Sequence, residues 1–139
     1  MRIAALALAA LLAAGARAES PEAPQAPCPK AGDVTHRHLF GLWRATFDGL
    51  PQGATLLLER HPELAESVRG AINRNGLRAQ VAGDVDDGEF TLEESADGVK
   101  IDATWTGTVV DGSCGREIRG DWQRPSDNKP RAFVLRKLQ

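Results

Sequence analysis

The sequence predicts an all-β fold, a single up-and-down antiparallel meander closed into a small eight-stranded barrel. Two observations support this prediction. Asn-Gly or Asp-Gly dipeptides begin at residues 75, 87, 97 and 111. These dipeptides tolerate the positive φ angles of a type I′ turn, so they join twisted antiparallel strands tightly. The residues between them alternate apolar and polar, which is typical of strands with one buried face and one face in water.

Each predicted strand has its own apolar face. Eight consecutive strands remove their exposed edges most completely by closing into a barrel, and a barrel of this size either is filled by side chains or holds one small ligand. The predicted strands are 39–48, 54–61, 67–74, 77–86, 89–95, 99–110, 116–123 and 132–138. Their inward residues, in the same order, are Leu39, Gly41, Trp43, Ala45 and Phe47; Leu56 and Leu58; Val68, Gly70 and Ile72; Leu77, Ala79, Val81, Gly83 and Val85; Phe90 and Leu92; Val99, Ile101, Ala103, Trp105, Gly107 and Val109; Ile118, Gly120 and Trp122; Phe133 and Leu135.

The segment 62–75 is the ambiguous one. Its apolar residues also share one face of a helix, and Pro62 suits a first helical turn. A strand is preferred because Asn75 and Gly76 then form the hairpin turn into the clear fourth strand.

The first 18 residues have the features of a secretory signal peptide. Arg2 is followed by a short Ala- and Leu-rich run and by the small-x-small site Ala16-Arg17-Ala18. Residues 19–38 are Pro-rich and are predicted to form an extended tail, and 39–139 to form the barrel domain. The protein is therefore expected to be periplasmic or secreted, with no membrane span.

Export also determines how the two cysteines are interpreted. In an oxidising compartment Cys28 and Cys114 most simply form one disulfide, which would clamp the tail to one end of the sheet. Free thiols or a metal site are the alternative.

The net charge and the motifs argue against nucleic-acid binding and against catalysis. The formal net charge is −2, which argues against strong nucleic-acid binding. No Gly-x-Ser-x-Gly elbow is present. Seven carboxylates cluster in the middle of the chain: Asp84, Asp86, Asp87, Glu89, Glu93, Glu94 and Asp97. They are predicted to lie on outward faces and turn tips, where acid–base catalysis is not expected. We expect a non-enzymatic protein without a cofactor.

Three inward motifs pair a tryptophan with a nearby glycine: Gly41-Leu42-Trp43, Trp105-Thr106-Gly107 and Gly120-Asp121-Trp122. A missing side chain beside an indole lets the ring lie across the sheet. The tryptophans then either pack the interior or face a ligand. Candidate ligand-binding residues are Trp43, Phe47, Phe90, Trp105 and Trp122.

On these motifs the chain resembles the calycin-type barrels, especially the avidin and streptavidin family and the lipocalins. Gly41-Leu42-Trp43 is similar to the Gly-x-Trp of their first strand, and 103–107 to the sixth avidin strand. The positions that would bind the head of biotin look like Ala45 and Gly49, and the chain contains no Tyr. The resemblance therefore implies a barrel that does not bind biotin. A second, architectural resemblance is to bacterial inhibitors of serralysin-type metalloproteases, exported barrels whose N-terminal tail enters the protease cleft.

Three histidines form a candidate metal site. His36 and His38 would point the same way on an extended chain. If Asp48 lies opposite Gly53, His38 is a diagonal neighbour of His61. Three imidazoles could bind zinc or copper, and the alternative is that they are ordinary surface residues.

Two functions follow from these predictions. The first is an exported binding barrel for a small, mostly apolar molecule held by the inward aromatic residues. The second is a protein-interaction module, such as an envelope protease inhibitor that acts through its N-terminal tail.

Overall fold

The structure is a computed structural model, and it describes residues 15–16 and 28–138. The predicted signal peptide 1–18, apart from Gly15 and Ala16, and residues 19–27 of the predicted tail lie outside the described residues.

Eight antiparallel strands form a closed barrel in sequence order, which confirms the predicted fold class. Each strand pairs with the next one along the chain, and the last pairs with the first. The strands are β1 (Gly41–Phe47), β2 (Ala54–Arg60), β3 (Val68–Arg74), β4 (Leu77–Asp86), β5 (Glu89–Ser95), β6 (Ala103–Val109), β7 (Glu117–Gln123) and β8 (Arg131–Lys137).

Two of the four predicted turns have the expected conformation. Asn75 and Asp87 have φ of 49° and 48°, and each is followed by a glycine with positive φ. Both are two-residue turns, since Arg74 pairs with Leu77 at the first of them. The strands between and after these turns, β4 and β5, have the predicted bounds.

The Asp97-Gly98 turn was predicted wrongly. The Asp97 carboxylate accepts the backbone N–H groups of Val99 and Lys100, both at 2.8 Å, and so organises a longer connection. β6 therefore starts only at Ala103, and Val99 is 87% exposed. Val99 and Ile101, predicted to face inward, both lie at the surface.

The segment 62–75 contains a strand and not a helix. β3 runs from Val68 to Arg74 and pairs with β2 and β4. The residues before it form a turn, in which His61 Nδ1 accepts the N–H groups of Glu63 and Leu64.

The end of the barrel at which β1 begins is covered by the N-terminal segment, and we call it the capped end. A 3-10 turn (Ala31–Asp33) and the one-turn helix α1 (His36–Leu39) precede β1. Val34 and Leu39 are buried in the core. The Trp43 indole donates to the carbonyl oxygen of Leu39 at 2.8 Å. Residues 28–38 thus fold onto the barrel and are not simply extended.

The disulfide is present as predicted. Cys28 and Cys114 are bonded, with their Cα atoms 4.7 Å apart. The bond ties the start of the cap to the connection between β6 and β7, as the predicted clamp requires. It also indicates a non-reducing, extracytoplasmic environment.

The core fills the barrel and packs closely around glycines. Gly107 and Gly120 face each other across β6 and β7, next to the Trp105 and Trp122 pair. A Cβ atom on Gly120 would collide with the carbonyl oxygen of Thr106. Glycine therefore lets these two strands approach beside the large indoles.

Among the described residues, no helix has the length and apolar character needed to cross a membrane.

Candidate functional site

The five predicted ligand-binding residues all face the barrel interior. Trp43, Phe47, Phe90, Trp105 and Trp122 are between 0% and 5% exposed. The Phe47 ring centroid lies 5.3 Å from that of Trp105 and 5.1 Å from that of Trp122. All five side chains belong to one cluster of buried apolar residues, so they are part of a packed core in this structure. Their role in ligand binding stays a prediction.

A buried carboxylate lies beside these aromatic rings, at the end of the barrel opposite the cap. Glu94 is 3% exposed. Its Oε2 accepts the indole N–H of Trp105 at 2.6 Å and that of Trp122 at 2.7 Å. We call this end of the barrel the Glu94 end.

Arg74 neutralises the Glu94 charge. Its two terminal nitrogens donate to the two carboxylate oxygens, and the Nη2–Oε2 distance is 2.7 Å. The guanidinium carbon lies 5.5 Å from the Phe47 ring centroid and 5.0 Å from that of Trp122. A paired guanidinium over aromatic rings is a favourable geometry for arginine, which combines planar hydrogen bonding with stacking.

Neither Glu94 nor Arg74 is among the predicted site residues, although the alternation of apolar and polar residues places both on inward faces. Glu94 follows the inward Phe90 and Leu92 at the same period of two, and Arg74 follows Ile72 in the same way. The prediction that the clustered carboxylates lie on outward faces is therefore wrong for Glu94. Glu94 was predicted to be exposed because charged side chains are rarely buried unless they are paired.

The predicted three-histidine site is not formed. Within residues 28–138, no group of three or more His, Cys, Asp or Glu side chains is close enough to hold a metal ion. His36 and His38 lie in α1 and not on an extended chain, and residues two apart on a helix point in different directions. His38 instead accepts the backbone N–H of Thr35 at 2.9 Å. The assumed strand register is also wrong, because Ala45 pairs with Ala54.

The outer wall carries a row of leucines across neighbouring strands. Leu42 of β1 pairs with Leu57 of β2, and Leu57 pairs with Ala71 of β3. Leu138 donates its backbone N–H to the Leu42 carbonyl oxygen, so it continues the row beyond β8. Leu42, Leu57 and Leu138 are 43%, 41% and 41% exposed, respectively. We call Leu42, Leu57, Ala71 and Leu138 the leucine row.

Arginines lie beside the leucine row, two residues further along the strands and so at the next position on the same outer face. Arg44 of β1 is directly opposite Arg136 of β8. Arg78 of β4 lies opposite Asn73 of β3. Within residues 28–138, Arg44 and Arg78 form no salt bridge. One surface groove is lined by both arginines together with Leu42, Leu57 and Ala71.

Arg136 differs from the other two arginines because it has a carboxylate partner. It donates to Glu117 at 2.8 Å, and Arg119 donates to the same carboxylate at 3.2 Å. Partial burial raises the pKa of Glu117, but the hydrogen bonds from Arg136 and Arg119 outweigh that effect and the pKa lies below its usual value. Among residues 28–138, Arg44 therefore faces a cation and has no carboxylate partner of its own.

Neither the family models nor the curated proteins with which the chain was compared give a match.

Proposed function

We propose that this protein is a non-enzymatic, periplasmic or secreted barrel of the calycin type that binds a protein partner on its outer wall. The contact surface is the leucine row together with the groove beside it. The partner presents apolar side chains next to carboxylates.

The observation that carries this proposal is the pairing of exposed leucines across adjacent strands. Single exposed leucines are ordinary, but a contiguous apolar row rimmed by polar residues is typical of an interaction site. The interior offers less, because its aromatic side chains are already buried against one another. The outer wall is therefore the better binding surface.

The arginines indicate the chemistry of the partner. Among residues 28–138, Arg44 and Arg78 form no salt bridge, and Arg44 lies opposite Arg136, whose charge is already paired with Glu117. Carboxylates of an acidic partner would pair with Arg44 and Arg78. Arg44 and Arg78 line the same groove as Leu42 and Leu57. One segment of a partner can therefore contact both kinds of side chain.

Designed peptides test the surface directly. One peptide presents leucines on one face and glutamates beside them, and its matched control carries lysines in place of the glutamates. We expect the mature protein to bind the acidic peptide and not the basic one in calorimetry, with affinity falling as salt rises. Equal binding of both peptides would contradict the proposed charge complementarity.

Variants locate the binding. Leu42→Thr with Leu57→Thr keeps good strand formers at both positions and should weaken acidic-peptide binding at least tenfold. Leu64→Thr is the matched control, because Leu64 is 57% exposed and lies outside the groove. If the control weakens binding as much as the double variant, the leucine row is not the site. Sedimentation of the protein alone tests the other occupant, a second copy; a dimer abolished by the double variant would replace the proposed acidic partner.

The N-terminal tail is a second candidate for contact with a protein, for example with an envelope protease. The favouring observation is that the disulfide fixes Cys28, to which residues 19–27 are joined, at the capped end. Deleting residues 19–27 should abolish protease inhibition but leave acidic-peptide binding intact, which separates the two surfaces. The intact protein failing to inhibit any envelope protease would count against the tail.

A small apolar ligand inside the barrel stays a prediction. It requires the buried aromatic rings to move, so binding would change the intrinsic tryptophan fluorescence. A screen of apolar metabolites and lipids followed by that signal tests it.

A further inference from the structure

The Glu94 end has the composition of a cation-binding site. It contains one buried carboxylate and, beside it, the rings of Phe47 and Trp122. Carboxylates recognise guanidinium and ammonium groups by charge-assisted hydrogen bonds, and aromatic faces attract the same cations. In this structure the site already contains a cation, the guanidinium of Arg74.

The carboxylate is held in place independently of Arg74. Two indole N–H groups, from Trp105 on β6 and Trp122 on β7, donate to the same oxygen. Both tryptophans are at most 2% exposed, so the core fixes their positions. Removal of Arg74 would therefore leave the carboxylate oriented.

Arg74 is held less firmly than the carboxylate. It is the last residue of β3, directly before the Asn75-Gly76 turn, and its side chain is 24% exposed against 3% for Glu94. Its side chain can reach solvent at the rim while Glu94 stays buried. A buried charge left without a partner is unfavourable, which gives a replacement cation a strong reason to bind.

We propose that the Glu94 end is a binding site for a guanidinium or alkylammonium group and that Arg74 is its displaceable internal occupant. A ligand cation takes the position of the Arg74 guanidinium, with its N–H groups on Glu94 and its face toward Phe47 and Trp122. The site is separate from the leucine row and does not depend on the function proposed for that surface.

The first experiment replaces the internal occupant. Arg74→Ala should lower the melting temperature, and millimolar methylguanidinium should restore a large part of the loss. Methylurea, a neutral molecule of similar shape, should not. Methylguanidinium should bind Arg74→Ala at least tenfold more tightly than the wild-type protein, because the wild-type site is occupied.

Two variants are matched controls. Arg124→Ala also removes an arginine from the Trp122 ring, where the guanidinium carbon lies 4.8 Å from the centroid, but it leaves the Arg74–Glu94 pair intact. It should gain no methylguanidinium binding. The combined variant Arg74→Ala with Glu94→Gln should lose the gain.

The wild-type protein provides a readout that does not depend on any variant folding. The indole N–H resonances of Trp105 and Trp122 should shift on titration with methylguanidinium, whereas that of Trp43, bonded to Leu39 at the capped end, should not. Repeating the titration with an arginine-containing tripeptide distinguishes a free small cation from a partner side chain as the source of the group.

Each outcome either supports the proposed cation site or overturns it. Selective indole shifts, or tighter binding by Arg74→Ala, support the site. A folded Arg74→Ala protein that neither binds methylguanidinium nor regains stability overturns it. If that variant does not fold, equal or absent shifts of all three indoles in the wild-type protein overturn it as well.

Discussion

Loss of the disulfide should destabilise the barrel by an amount that follows from its position in the chain. The bond joins residues 86 positions apart, and a loop of that length contributes about 4.5 kcal/mol in the chain-entropy model. With a urea slope of about 2 kcal/mol/M, typical of a small domain, reduction should lower the unfolding midpoint by about 2 M. We therefore expect a large and easily measured shift.

The assay is urea unfolding of the oxidised protein, the reduced protein and the double variant Cys28→Ser with Cys114→Ser. The reduced protein and the variant should unfold at the same urea concentration, and reductant should not change the variant further. Tryptophan fluorescence and far-ultraviolet circular dichroism should give coincident transitions, because Val34 and Leu39 keep the cap packed on the core.

Two results would refute this reasoning. A loss below about 1 kcal/mol would mean that the cross-link hardly restricts the unfolded chain, contrary to the chain-entropy model. Separate transitions for the two probes would mean that reduction mainly releases the cap, so that the effect is local.

The remaining predictions concern single side chains. Trp105→Phe should lower the free energy of unfolding by about 1.5–3 kcal/mol, because it removes a hydrogen bond to the charged Glu94 carboxylate. Trp43→Phe should lower it by about 1 kcal/mol, because it removes a hydrogen bond to a backbone carbonyl oxygen. Equal losses in chemical denaturation would contradict the charged acceptor. Gly120→Ala should lower the free energy of unfolding by about 2–3 kcal/mol, because the added methyl group collides with the neighbouring strand. Thr106→Ala on the outer face should lower it by about 1 kcal/mol or less. Similar melting temperatures of the two variants would show that the strands can separate to admit a methyl group. The backbone N–H groups of residues 100 and 99 and the hydroxyl of residue 95 lower the pKa of Asp97 from 3.8, so its contribution to stability should be fully present above that pH and be lost as pH falls below it, through the folded pKa. The difference in melting temperature between the wild-type protein and Asp97→Ala should therefore narrow in this acidic range, and a constant difference would argue against a stabilising carboxylate.

The sequence by itself determined the strand order and, to within one residue, most of the strand boundaries. Asn75-Gly76 and Asp87-Gly88 are local signals, because positive φ is a property of those residues and their turns need no distant partner. Alternation with a period of two then assigned the inward faces, except at Leu77, Val99 and Ile101, which are exposed. The disulfide followed from two cysteines and an export signal. The turns and the alternation depend on neighbours in the chain, so a single sequence contains them. The disulfide joins distant residues, but two cysteines leave only one possible intramolecular pair.

Other features depend on the tertiary structure, because the same local patterns have a different conformation there. Asp97-Gly98 resembles the other turns, but the Asp97 side chain binds backbone N–H groups and makes a longer connection. His36 and His38 belong to a helical turn that caps the barrel, so the predicted metal site is lost.

The candidate sites also depended on closure of the barrel. Glu94 lies on β5, but its donors come from β3, β6 and β7, which approach one another only in the folded protein. The leucine row likewise depends on pairing between distant parts of the chain, since Leu42 and Leu138 become neighbours only when β8 closes on β1. The alternation marks which face a residue is on. Only the register across the barrel determines which side chains on that face meet, because register depends on the length and conformation of every connection.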